Sequence, residues 1–189
     1  LNQGRLVVGA SGAYGDARIT GDLTQAGSGN LAIDADFLAA RADRLTVEGD
    51  ATLAGRLEVN AAAVLPGASL RFLTVDGALD HALGAQSALF DYGIVQQGNE
   101  LSVSVDAARF GDPGFSLDED QGRVADHLQA IWDAGGGPFG TLFGALGSLA
   151  DRGNGSYASG LSDLSPGVSS AAAAGSIAMT QQHLDLLLS

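Results

Sequence analysis

Residues 43–61 read DRLTVEGDATLAGRLEVNA. Two segments in this stretch, Leu45-Thr46-Val47 and Leu57-Glu58-Val59, alternate apolar and polar side chains with period two. That alternation predicts strands with one buried face. Gly49-Asp50 and Ala54-Gly55 punctuate the stretch as turns. The same grammar recurs along the chain, in Leu6-Val7-Val8, Leu31-Ala32-Ile33, Leu73-Thr74-Val75 and Leu101-Ser102-Val103.

A longer self-similarity underlies it. Gly21-Asp22-Leu23-Thr24-Gln25-Ala26-Gly27 resembles Gly49-Asp50-Ala51-Thr52-Leu53-Ala54-Gly55, and Leu31–Ala35 and Leu57–Ala61 follow the two copies. An offset in the twenties is that of solenoid coils. One such coil cannot bury its apolar face alone and needs stacked neighbours. Irregular spacing keeps an antiparallel sandwich open as the alternative.

Composition agrees with a repetitive β structure. Hydrophobic residues make up 46% of the 189 residues and aromatics only 6%, so the core must be built from Ala, Leu and Val. The 28 glycines allow many turns. Net charge is −13, with nine Arg and no Lys, and the cations are scattered. This weighs against nucleic acid, which needs clustered cations to displace counterions, and against an anionic membrane surface. With no cysteine there are no disulfides, thiolate metal sites or Cys nucleophiles. No apolar run approaches the roughly 18 residues of a spanning helix. No signal peptide is visible before Leu1, and the sequence reads as an internal piece of something longer.

Three regions are expected. Residues 1–65 carry the repeat and read as solenoid rungs. Pro66-Gly67 marks a turn, after which residues 66–110 hold the most aromatic strands. There Leu70–Val75 reads as a strand covered on both faces, and residues 76–86 read as a loop. Phe90, Tyr92 and Ile94 share one strand face, and Leu101, Val103 and Val105 another, joined by a tight turn at Gly98-Asn99. An open rung is an exposed sheet edge, so this region is expected to cap the rungs. From residue 111 to 189 the period switches to about 3.6. Ser116 and Glu119 form an expected capping box. A first helix stops at Gly135-Gly136-Gly137-Pro138, and two short helices follow around Leu142–Leu149 and Tyr157–Leu164. A last helix starts at Ser165-Pro166 and is slim through Ala171–Gly175.

The chemistry of catalysis finds no anchor. His81, His127 and His183 lie apart with no carboxylate or nucleophile pattern, and there is no Gly-x-Ser-x-Gly elbow. Residues 135–140 formally match GxGxxG, but they follow a helix and contain a proline. Asp118–Gly122 only hints at a calcium loop; acids at a helix N-terminus are the simpler reading. Asp34 and Asp36 share one strand face, as paired sugar-cleaving acids do, yet acids this common pair by chance. No enzyme activity, cofactor or metal is expected.

The ordered succession of these segments resembles a known family. The runs GDLTQAGSGNLAIDADF, ADRLTVEGDATLAGRLEVN, PGASLRFLTVDGAL and FDYGIVQQGNELSVSV resemble the C-terminal end of the passenger of autotransporters, the type V secretion proteins of Gram-negative bacteria. Residues 157–189 resemble the linker entering their translocator barrel, with Leu161–Pro166 matching its Leu-Ser-Pro element. The resemblance implies a mainly β fold: a right-handed parallel β-helix with a C-terminal β cap of autochaperone type, followed by an α-helical linker region. Its template candidates are Leu45, Val47, Leu57, Val59, Leu73, Phe90, Tyr92, Leu101 and Val103. Its linker-helix candidates are Leu164, Ser165, Pro166 and Met179. It implies a secretion and folding module at the cell surface or outer membrane, or secreted after cleavage. The implied partners are its own translocator barrel, an upstream passenger, the outer-membrane assembly machinery and periplasmic chaperones. Two further readings stand beside it: a self-associating surface adhesin, and the scaffold of a carbohydrate-active enzyme whose active site lies upstream.

Overall fold

A computed structural model describes residues 1–10 and 13–165. The strands are β1 (Arg5–Val7), β2 (Asp16–Ile19), β3 (Leu23–Gln25), β4 (Asn30–Asp36), β5 (Arg41–Ala42), β6 (Arg44–Val47), β7 (Ala51–Ala63), β8 (Ser69–Val75), β9 (Leu79–Ala85), β10 (Phe90–Gln97) and β11 (Glu100–Ala108). The helices are α1 (Glu119–Asp133), α2 (Gly140–Arg152) and α3 (Ser156–Asp163). One sheet has six strands in the order β1-β4-β7-β3, with β5 beside β4 and β9 beside β7. The other has five, in the order β10-β11-β8-β6-β2.

Parallel pairing stacks like residues on like. Ala17, Leu45 and Leu73 form one row across β2, β6 and β8, and Ile19, Val47 and Val75 the next. Leu6, Leu31 and Leu57 align across β1, β4 and β7. Such rows bury one face of each strand, and the pleat turns the polar residues outward. The 13-residue β7 serves three neighbours because it bends. Gly55 has φ +86°. Ala51–Leu53 pair with β3, Arg56 onward pairs with β4, and β9 runs alongside the bend.

The expected right-handed parallel β-helix is corrected by this topology. Both sheets are mixed: β5 is antiparallel to β4, and β10 and β11 join β8 antiparallel. Three helices complete the described structure, so the architecture is an α/β fold. The physical reason is the face of α2. A Cβ on Gly144 would stand 2.5 Å from the Ala62 carbonyl oxygen, and one on Gly147 2.6 Å from the Phe90 ring. Without side chains there, α2 lies directly on the backbone of β7. The buried core is accordingly continuous from Val8 through the sheets to Trp132, Phe143 and Leu161.

Local expectations were also revised. Residues 79–85, read as loop, are β9, drawn into strand by seven parallel partners on β7. The cap of α1 is Asp118 rather than Ser116. The Asp118 carboxylate accepts the Gln121 N–H at 2.9 Å, and the Gln121 side chain accepts the Asp118 N–H at 2.9 Å. Leu70–Val75 buries Leu70, Phe72, Leu73 and Val75 but leaves Arg71 exposed beside Glu100. The last helix, with Pro166 and Met179, lies outside the described residues.

Candidate functional site

The template candidates fall into two groups. Leu45, Val47, Leu73, Leu101 and Val103 are all buried in the five-stranded sheet, where Leu101 faces Leu73 across the antiparallel pair. Leu57 is buried and Val59 half-buried on β7, opposite Leu31 and Ile33 of β4. Phe90 is buried under α2, and half-buried Tyr92 stacks on Phe37 with ring centroids 6.2 Å apart. Leu164 ends α3 in an exposed position, and Ser165 is the last described residue.

Corners between strands are held by a carboxylate ladder. Asp22 accepts the Asp50 N–H at 2.9 Å, 28 residues away, and Asp50 accepts the Ala78 N–H at 2.8 Å, again 28 residues away. The glycines beside them stack likewise, Gly49 N–H donating to the Gly21 carbonyl and Gly77 N–H to the Gly49 carbonyl. A Cβ on Gly49 would sit 2.2 Å from the Asp22 carboxylate. Gly-Asp at this spacing is therefore a stacking device. Each carboxylate satisfies a backbone donor of the following layer, and the third corner, Gly77-Ala78, carries no acid to pass on.

Asp43, the first residue of the quoted stretch, is fully buried. One carboxylate oxygen accepts the Gly15 N–H at 2.7 Å and the other the Asp34 N–H at 2.8 Å. Gly9 is excluded from having a side chain, because its Cβ would lie 2.6 Å from the same carboxylate. Asp43 thus ties the loop before β2 to β4. Pattern reading passed over it, since a lone acid before a strand looks like a solvated residue. Asp43→Asn presents an amide N–H to a backbone donor and loses one bond. It is expected to cost about 2 kcal/mol, the penalty for one buried donor left unsatisfied. The shift in urea midpoint at unchanged slope measures it.

A cleft of about 650 Å³ opens between the β4–β7 face and α2. Tyr14, Asp34, Asn60, Tyr92 and Asp151 lie on its walls. Burial pushes the Tyr14 phenol upward, and Asp36 and Asp34 add to the effect. The Tyr92 phenol is pushed up by burial and then by Asp151. Both phenols are therefore held protonated and act as hydrogen-bonding groups rather than nucleophiles. The carboxylates are engaged with the protein: Asp34 accepts from the Asn60 amide at 3.1 Å, Asp151 accepts the Ala88 N–H at 2.6 Å, and Asp36 accepts the Ala39 N–H at 2.8 Å. The Asp34 and Asp36 pair thus serves the fold. Among the described residues no three His, Asp or Glu side chains converge as metal ligands. His81 and His127 stand on separate elements, β9 and α1, and His183 lies outside the described residues.

The remaining feature is the sheet edge. β1 and β2 each end their sheets, pairing with β4 and β6 on one side only. Among the described residues the outer edge of β3 is met by Asn2, whose N–H donates to the Thr24 carbonyl and whose side chain donates to buried Gln25 at 2.9 Å. Gln25 in turn donates to the Ala54 carbonyl at 2.8 Å, extending a polar tie across the layers. The exposed charges beside the edge are paired. Arg5 and Arg18 bond Glu58 and Glu48, and these bonds raise the arginines and hold both glutamates below the usual carboxylate range. Comparison with protein-family models, with curated proteins and with solved structures finds no match. Among the described residues, the outer edges of β1 and β2 bear no strand, and they continue the register of rows that include buried Leu31, Leu57, Val47 and Val75.

Proposed function

We propose that the chain is a secretion and folding module of a Gram-negative surface protein of the autotransporter kind. In this reading it gives an attached passenger a preformed edge on which to order. The single observation that carries the reading is the register of β1 and β2. Their side chains continue the rows Leu6-Leu31-Leu57 and Ile19-Val47-Val75, and their outer edges bear no strand among the described residues. An extended segment added to such an edge gains main-chain hydrogen bonds, and alternate side chains give it register. The corner carboxylates have the same directional logic, each serving the next layer. The sequence resemblance supplies the rest of the proposal: a passenger on the Leu1 side, a translocator barrel on the Ser189 side, chaperones and assembly machinery in transit, and residence at the cell surface or release from it.

The test uses an attached passenger displayed on cells. Ile19→Lys puts a charge on the edge row while leaving the deeper rows intact, and Leu57→Asp breaks a core row outright. Both are expected to lower the displayed, protease-resistant passenger several-fold. Normal display of the Ile19→Lys variant removes the edge from the mechanism, whatever happens to Leu57→Asp.

A further inference from the structure

We propose that the cleft between α2 and the β4–β7 face binds a neutral mono- or disaccharide. The inference goes beyond the secretion reading and stands whether or not that reading holds. Two regular elements build the walls. Asp34 and Asn60 are parallel partners on β4 and β7, and the Asn60 amide donates to the Asp34 carboxylate at 3.1 Å. On the other wall, Ser148, Asp151 and Arg152 lie near the C-terminal end of α2, at a spacing that puts them on one helix face. Tyr14, ahead of β2, and Tyr92 of β10 add aromatic rings. The volume of about 650 Å³ falls within the roughly 300–1,000 Å³ typical of small-ligand clefts.

Three observations select the ligand class. The first is uncommitted polarity. The hydroxyls of Tyr14, Tyr92 and Ser148 and the Arg152 guanidinium make no hydrogen bond with any described residue. Asp151 accepts from the Ser87 hydroxyl and the Ala88 N–H on Oδ1, which leaves Oδ2 for a ligand. An apolar ligand would take water from these groups and leave them unpaired. A polyol donates and accepts at every hydroxyl, so it matches a wall that mixes donors with acceptors. The second is charge. A cationic ligand meets Arg5 and Arg152 on the same walls. An anionic one meets Asp34 and Asp151, in a chain of net charge −13. The third is the rings. A tyrosine presents an apolar body and a polar tip. A sugar ring is its counterpart, with apolar C–H faces and a hydroxylated rim. Both phenols are held protonated, so their hydroxyls keep the ability to donate.

The experiment uses the full 189-residue chain, isotope-labelled and followed by its backbone amide signals. It is titrated to millimolar concentration with maltose, lactose, cellobiose and N,N′-diacetylchitobiose in turn. At least one of these sugars is expected to give saturable shifts centred on Asn60, Tyr92, Ser148 and Arg152. Tyr14→Ala and Arg152→Ala alter exposed side chains, so both variants should keep the urea midpoint of the parent. Each is expected to raise Kd about tenfold, as loss of one good contact does. Absence of saturable shifts with all four sugars overturns the proposal. Binding that both variants leave unchanged overturns it too, because the sugar then sits elsewhere. Digalacturonic acid and glucosamine serve as the acidic and basic probes. Tighter binding of either than of the neutral sugars overturns the assignment of a neutral ligand.

Discussion

Gly55→Ala is expected to lower stability by about 4 kcal/mol, near the upper end for a single substitution. Two costs combine. The left-handed backbone at φ +86° penalises any side chain by about 1–2 kcal/mol. The added methyl would also stand 2.3 Å from the Gly29 carbonyl oxygen and 2.9 Å from that of Gly27. Gly29 cannot retreat freely, because its carbonyl accepts the Arg56 N–H at 3.0 Å and so starts the pairing of β7 with β4. Gly67→Ala is the internal control. Gly67 also has positive φ, +69°, but a Cβ there meets nothing within 4 Å. It should therefore cost only the backbone penalty. Urea unfolding of the two variants reads the difference directly. Equal losses would mean that the approach of β7 to the Gly27–Gly29 turn contributes nothing, and that the bend is a passive consequence of the flanking strands.

Gly55 also shows what is legible in a sequence of this kind. The sequence reads it as a turn between Leu45–Val47 and Leu57–Val59; these are separate strands, β6 and β7, but Gly55 lies within β7 and bends it. The glycine signal was right about the backbone and silent about continuity. Period-two alternation placed Leu45, Val47, Leu57, Leu101 and Val103 on buried faces, because burial of one face follows from the pleat whatever the partner strand does. Alternation says nothing about whether that partner runs parallel or antiparallel, and this is where the β-helix expectation failed. The turn at Gly98-Asn99 marks β10 and β11 as an antiparallel hairpin, but the antiparallel joining of that hairpin to β8 and of β5 to β4 leaves no separate mark in the pattern. β9 was missed for a related reason. Asp80, His81 and Gly84 dilute its apolar pattern, and its strand character comes from pairing with β7.

The helical layer was legible as helices and illegible as a layer. Helix breaks at Gly135–Pro138 and Gly153–Gly155 announce themselves through turn chemistry. Gly140, Gly144 and Gly147 lower helix propensity, so by propensity alone α2 is a weak helix. Their purpose emerges only in the packing, where a Cβ on Gly144 would strike the Ala62 carbonyl of β7 and one on Gly147 the Phe90 ring of β10. Asp43 teaches the same lesson for polar residues. An acid is read as solvated unless two backbone donors 28 and nine residues away are known to converge on it. Of the candidate site, then, the buried rows were readable. The edge and the cleft are products of tertiary arrangement and were not.

Phe143→Ala is expected to cost about 4 kcal/mol, as truncation of a fully buried aromatic ring does. For a chain of this length that corresponds to a fall in Tm of about 10 °C. The ring lies 5.2 Å from Phe110, 5.4 Å from Trp132 and 6.4 Å from Phe139, centroid to centroid. Phe110 and Trp132 both reach Phe90, which contacts Tyr92, which stacks on Phe37 beyond β4. A cavity at Phe143 is thus felt from the helical layer into both sheets. Two further ties cross the same boundary: Tyr157 donates to the Phe110 carbonyl at 2.9 Å, and Asp151 holds the turn before β10. The decisive readout is therefore coincidence. Trp132 is the only tryptophan and reports the helical layer by fluorescence, while far-ultraviolet circular dichroism follows the sheets. Both signals should shift together in one transition. If the Trp132 signal moves to lower temperature and the sheet signal stays, the helices are a separable annex. In that event a defect among them leaves the β1 and β2 edges untouched. With coincident transitions, stability gained in the helical layer is stability of the β1 and β2 edges themselves.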